Sequence, residues 1–201
     1  GQVCLCGSRI LVHQSIADEF TQRLVVAVDA MVCGPPEDAS TQIGALISIE
    51  HLEKVESYIE LGVEEGGTIL TGGTREMTGP VIATNAGAFL RPTIIDGLDH
   101  TSRTSTEEIF GPIVTVHRFD SDEEAIEMAN STEYGLAGSI WSTNIDRAHA
   151  LAQQIETGII WVNTWLHRDL RTPFGGVKNS GVGREGGNWS LGFFSEPLNV
   201  C

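Results

Sequence analysis

The chain opens on Gly1-Gln2-Val3-Cys4, and Cys4 is the first residue able to do covalent chemistry. A thiolate adds readily to an electrophilic carbon, so a cysteine in a polarising environment is a candidate nucleophile. A lone cysteine is more often inert core, so Cys4 needs company before it carries a function. Cys4-Leu5-Cys6 is a C-x-C pair, not the C-x-x-C of redox and zinc-ribbon motifs, and Cys6 reads as structural or at most as an oxidation partner. The remaining cysteines, Cys33 and Cys201, fit a chain that keeps its thiols reduced. A second group is Glu107-Glu108-Ile109-Phe110-Gly111-Pro112, where a carboxylate can accept two O–H donors at once. A third is the run from Asn163 to Phe174, with Arg168 and Arg171. A guanidinium binds a carboxylate through two parallel N–H bonds and stays charged at any relevant pH. The six histidines show no i, i+3 or i+4 pairing, and no metal site is expected.

Taken in order, four segments resemble the second half of an NAD(P)-dependent aldehyde dehydrogenase. They are Gly1–Cys4, Glu107–Pro112, Asn130-Ser-Thr-Glu-Tyr-Gly-Leu136 and Pro173-Phe-Gly-Gly-Val-Lys-Asn-Ser-Gly181. The resemblance covers essentially the whole chain. It implies that Cys4 is the nucleophile and forms a thiohemiacetal, with the Cys4 backbone N–H in the oxyanion hole. It implies that Glu108 binds the nicotinamide ribose hydroxyls and that Phe110 packs beside the same ribose. Lys54 and Leu136 fall at positions that touch the adenosine side and the nicotinamide, with an exposed lysine and a core leucine as equal alternatives. The implied cofactor is NAD, with NADP open. The implied assembly is a homodimer or homotetramer, and the implied compartment is the cytoplasm. The family's general-base Glu, oxyanion Asn, phosphate-site Lys and Rossmann-like domain precede the nucleophile, and no G-x-G-x-x-G-like strand–loop–helix start is read here. The chain is therefore expected to be a fragment. The Gly-rich 175–187 stretch is expected to support the active-site wall rather than cradle phosphate.

The run Arg168-Asp-Leu-Arg-Thr-Pro-Phe-Gly-Gly176, with Gly183-Arg-Glu-Gly-Gly187, resembles the muconic semialdehyde dehydrogenases within that family. Their substrates carry a carboxylate remote from the aldehyde. The resemblance implies that Arg168 binds that carboxylate and that Phe174 lines the tunnel for a flat conjugated substrate. Arg171 is expected to pair with Asp169 or another acid. Hydroxy and amino substrates both fit. A general or retinal-type aldehyde dehydrogenase and a non-catalytic interaction module stay open as alternatives. Gly44-Ala45 stands where relatives carry Gly-Pro, and the segment His100–Thr106 is unusually polar.

The elements that must position these residues follow from periodicity and caps. Residues 9–12 read as a strand, and Ser15 with Asp18 reads as a weak capping box opening a helix that Cys33-Gly-Pro-Pro ends. Its expected apolar face is Ile16, Phe20, Leu24, Ala27, Val28 and Met31. A second helix spans about Ser48 to Glu65, with Ile49, Leu52, Val55 and Ile59 inward. Strands follow at 68–70 and 113–117, and residues 76–91 read as a loop with little strand. Ser121 and Glu124 cap a helix, then come a strand at 136–141, a helix at 145–155 and a strand at 158–162. Alternating strands and helices predict an α/β fold, an open and largely parallel sheet flanked by helices. The expected division is a catalytic domain over 1–192 and an oligomerisation strand over 193–201.

The chain has 201 residues, enough for a sizeable core. Twelve Lys and Arg against 27 Asp and Glu give a net charge of −15, which disfavours nucleic acid and membrane surfaces as partners. The expected partner is a small aldehyde. Residues 168–184 reverse the trend, with Arg168, Arg171, Lys178 and Arg184 against Asp169 alone.

Overall fold

The structure, a computed structural model, describes residues 1–76 and 87–201. The chain forms two compact units, Gly1–Ala125 and Ile126–Cys201.

The first unit is built on a four-stranded sheet. Its strands are β1 (Arg9–His13), β2 (Thr68–Thr71), β3 (Thr93–Asp96) and β4 (Ile113–Phe119), in the order β1-β4-β3-β2. β4 is parallel to both β1 and β3, and only β2 runs antiparallel, at the β3 edge. Alternation along β3 divides the core in two. Ile95 joins the cluster of Leu52, Val55, Ile59 and Ile109, whereas Ile94 joins that of Val12, Ala17 and Val116. The first cluster lies against α2 (Ile49–Glu64), the second against α1 (Gln14–Asp29). Leu52 and Val55 are fully buried, and each such side chain contributes about 1.5–3 kcal/mol.

α2 starts where expected, at an Ser48 cap that accepts from the His51 N–H, but Ile49 is exposed. α1 differs more. Strand β1 runs straight into it, so the cap falls on His13, whose Nδ1 accepts from the Ser15 N–H. Ser15 therefore lies inside the first turn, and Asp18 pairs with Arg118 rather than closing a capping box. The buried face is Ala17 and Thr21, continued by Leu24, Val25 and Val28. Ile16 and Phe20 are exposed, and the helix ends at Asp29, before Cys33. The polar stretch after His100 forms the one-turn helix α3 (Arg103–Thr106), whose first N–H groups the Glu65 carboxylate accepts. The expected loop at 76–91 lies mostly outside the described residues. At its margins Arg75 and Leu90 form an isolated antiparallel bridge.

α4 (Asp122–Asn130) follows β4. Ser121 Oγ accepts from the Glu124 N–H, and the Glu124 carboxylate accepts from the Asp120 N–H. In the second unit β6 (Ala137–Ile140), α5 (Ile145–Ala152) and β7 (Ile159–Val162) form a parallel βαβ crossover. β5 (Tyr134–Gly135) pairs antiparallel with β8 (Val177–Lys178). The Gly-rich stretch leads into α6 (Gly187–Phe194), so Phe193 and Phe194 end a helix instead of opening a strand, and residues 195–201 carry no strand. No helix among the described residues is long and apolar enough to cross a membrane.

Candidate active site

Cys4 is the second residue of a turn closed by the Cys6 N–H on the Val3 carbonyl at 2.9 Å. Its side chain is exposed, and its backbone N–H has no partner among the described residues. None of the four cysteines forms a disulfide. The turn is anchored at its base. A Cβ on Gly1 would lie 2.0 Å from the Gly111 carbonyl oxygen, and a Cβ on Gly111 would lie 2.7 Å from both Val55 methyls. Only glycines let these two backbones stack onto α2. The Ile47 N–H donates to Gln2 Oε1 at 3.2 Å, a second tie. The Gly1–Cys4 segment and the Glu107–Pro112 segment are thus one packed assembly.

Within that segment the two glutamates part. Glu107 is extended, so the next side chain points the other way. Glu107 accepts from Arg103 Nε at 2.7 Å and from the Tyr58 hydroxyl at 2.7 Å. Those bonds, Arg103 first, hold its carboxyl below the usual carboxylate range. The exposed Glu108 carboxylate has no hydrogen-bond or ion-pair partner among the described residues. Its backbone is held: Lys54 Nζ donates to the Glu108 carbonyl at 3.1 Å, and His51 Nε2 to the Phe110 carbonyl at 2.7 Å. Phe110 adopts φ 60°, left-handed for a non-glycine residue, with its ring edge-on to His51. Lys54 is thereby committed to a backbone contact and lies 5.8 Å over the Tyr58 ring.

In the second unit the Asn163–Phe174 loop is held by left-handed turns at Asn163 and Leu166 and by Trp161 Nε1 donating to the His167 carbonyl at 2.8 Å. Arg168 and Phe174 are together. The guanidinium lies 4.1 Å from the ring centroid, and Nη2 donates to Glu185 Oε1 at 3.2 Å. Phe174 and Glu185 exchange both backbone bonds at 2.8 Å. Arg168 Nε and Nη1 have no partner among the described residues. Arg171 chelates Asp169 through Nε and Nη2. The remaining bases are also used internally. Arg184 Nη1 donates to the Gly176 carbonyl at 2.9 Å, and Lys178 pairs with Glu156 at 2.5 Å. The basic excess over 168–184 is therefore largely neutralised by Asp169, Glu156 and Glu185. Two of those acids lie outside the window from which it was read. Leu136 is half-buried, and its carbonyl accepts from the Ile159 N–H.

His51 and Tyr58 take part here without a motif of their own. The one available signal was the i, i+3 spacing of His51 and Lys54 on a strongly periodic helix. Among the described residues no group of three or more His, Cys, Asp or Glu side chains is placed to hold a metal ion.

Comparison with known proteins bears on this geometry. The aldehyde dehydrogenase family profile matches residues 1–200. The chain is 50% identical over 202 residues to 2-hydroxymuconic semialdehyde dehydrogenase of Pseudomonas sp. (strain CF600), covering all of this chain and 41% of that protein. It is 47% identical over 201 residues to human 2-aminomuconic semialdehyde dehydrogenase, with the same coverage. It superposes on a crystal structure of betaine aldehyde dehydrogenase from Staphylococcus aureus in complex with NAD+ with a TM-score of 0.92 at 41% identity, over 96% of this chain and 38% of that one. The chain thus spans about two fifths of the length of the relatives it matches.

Proposed function

Because this chain belongs to the aldehyde dehydrogenase family, we propose that it is the nucleophile-bearing part of an NAD-dependent enzyme that oxidises a muconic semialdehyde to the carboxylate. The observation that carries this reading is the packed assembly in which Gly1 lies on Gly111, with Cys4 and Glu108 both left free. The Cys4 thiolate adds to the aldehyde carbon, forming the C–S bond and turning the carbonyl oxygen into an oxyanion. The unpartnered Cys4 N–H supplies one donor to that oxygen. NAD, when bound, supplies the acceptor for the hydride this carbon releases. The resulting thioester is hydrolysed by water, freeing the carboxylate and the thiol. The base and the second oxyanion donor are assigned to the rest of a longer polypeptide, a reading supported by the 41% coverage of the relatives.

The fit to NAD rests on Glu108. An exposed carboxylate without internal partners, on a backbone held at two carbonyls, suits two ribose hydroxyls. NADP fits the same contact. For the substrate, Arg168 keeps Nε and Nη1 for a remote carboxylate, and the Phe174 ring fixes the guanidinium plane. The semialdehyde names of the relatives support that substrate class. A second reading, an uncharged aldehyde, is favoured by Glu185, which already pairs with Arg168. We assign the protein to the cytoplasm and to a homo-oligomer. The exposed Phe193, Phe194, Leu198 and Val200 support tail-mediated assembly.

The test is NADH formation by the full-length protein with a muconic semialdehyde. Cys4→Ala is expected to abolish it, and denaturing mass spectrometry of the wild type is expected to trap an acyl adduct on the Cys4 peptide. Turnover by the Cys4→Ala protein would sink the proposal.

A further inference from the structure

Three contacts converge on the start of α2. The Ile47 N–H donates to Gln2 of the nucleophile segment at 3.2 Å. Lys54 Nζ donates to the Glu108 carbonyl at 3.1 Å. His51, one turn from Lys54 on the same helix, donates from Nε2 to the Phe110 carbonyl at 2.7 Å. The last contact falls where the backbone needs it most. Phe110 has φ 60°, a conformation a bulky residue keeps only when its surroundings over-determine it. A free Phe110 relaxes toward negative φ, which swings the Glu108 and Phe110 side chains and tilts Gly111, the residue on which Gly1 is stacked.

We infer that His51 is a positioning residue: its hydrogen bond to the Phe110 carbonyl locks the left-handed turn that presents Glu108 and Phe110 to the cofactor and seats the Cys4 turn against them. The carbonyl only accepts, so the bond requires a proton on Nε2. The edge-on contact of the two rings, 6.5 Å between centroids at 72°, adds a second restraint on the same residue. The inference rests on the assignment of Glu108 and Phe110 to the cofactor.

The experiment measures NAD affinity of the full-length protein by fluorescence titration, alongside the KM for aldehyde. His51→Ala is expected to raise the Kd for NAD at least fivefold and to leave the aldehyde KM within twofold. His51→Gln, whose amide can donate to the same carbonyl, is expected to restore the Kd to within twofold of wild type. His51→Asn, an amide one methylene short of that reach, is expected to behave like His51→Ala and serves if the alanine variant does not fold. An unchanged Kd in His51→Ala or His51→Asn overturns the inference. So does an equal loss in His51→Gln accompanied by a lowered Tm, which makes the residue merely structural. Glu108→Gln separates the two levels. If it leaves the Kd unchanged, the cofactor assignment itself fails. If it weakens binding while His51→Ala does not, only the role of His51 fails.

Discussion

The Arg168 guanidinium lies over the ring of Phe174 at 4.1 Å and gives one nitrogen to Glu185, whose backbone is itself paired with that of Phe174. The side chain is 28% exposed, so it is held and still reachable. A guanidinium braced on a ring and one carboxylate keeps a defined edge for a second anion.

Arg168→Ala in the full-length protein is accordingly expected to cost about 2–5 kcal/mol in kcat/KM for an aldehyde with a remote carboxylate. Arg168→Lys is not expected to rescue it, because an ammonium neither stacks flat on Phe174 nor forms the fork. An uncharged aldehyde of similar size is expected to be turned over as before. Equal losses for both substrates would favour the uncharged-aldehyde reading.

Gly111 and Val55 are expected to couple. The 2.7 Å approach makes Gly111→Ala an overpacked site, at about 1–3 kcal/mol of stability in denaturant unfolding. Val55→Ala empties a fully buried position and destabilises on its own. Combined, the two are expected to cost clearly less than their sum, since the methyls that clash are the ones removed. Additivity in the double-mutant cycle would refute the stacking. Gly1→Ala meets backbone instead of side chain, so no partner substitution is expected to relieve it.

His117 sets an acid limit on stability. It is buried on β4 beside the Thr115 hydroxyl at 2.9 Å, and burial, then Arg9 and His100, push its pKa down to about 4, against an opposing pull from the Leu98 backbone and Asp96. The unfolded chain takes up this proton near pH 6.5 while the native state refuses it until about 4. The contribution is thus intact above pH 6.5, falls as the pH drops and is lost near pH 4, about 3 kcal/mol in all. His117→Gln is expected to flatten the pH dependence of urea unfolding over that interval. An unchanged slope would contradict it.

The thiols are expected to separate by reactivity. Cys33 is buried, its Sγ lies 3.8 Å from the Leu90 carbonyl, and burial pushes its thiol pKa up. Cys4 and Cys201 are exposed. Brief iodoacetamide treatment of the native protein followed by peptide mass mapping is expected to label Cys4 and Cys201 and to spare Cys33 until denaturant is added. Early labelling of Cys33 would show that this part of the core opens readily.

The sequence by itself determined the elements whose signals are local. Ser48 before a periodic run named the start of α2, the Ser121 and Glu124 pair named α4, and β-branched runs named β4 and β7. Motif order also named Cys4, Glu108, Phe110, Arg168 and Phe174 as candidates, because residue type and separation survive without coordinates. What depends on distant partners was not readable. The inward face of α1 belongs to Ala17 and Thr21 because the sheet approaches there, while Ile16 and Phe20 look equally apolar on a wheel. β3 has only four residues, too few for a periodic signal, and α6 begins inside a glycine run. Adjacent Glu107 and Glu108 are indistinguishable as letters. Only the fold, by bringing Arg103 and Tyr58 to the first, ties one carboxylate down and frees the other. The basic cluster at 168–184 dissolves for the same reason: charge balance is set by neighbours in space, and Glu156 and Glu185 are neighbours only after folding.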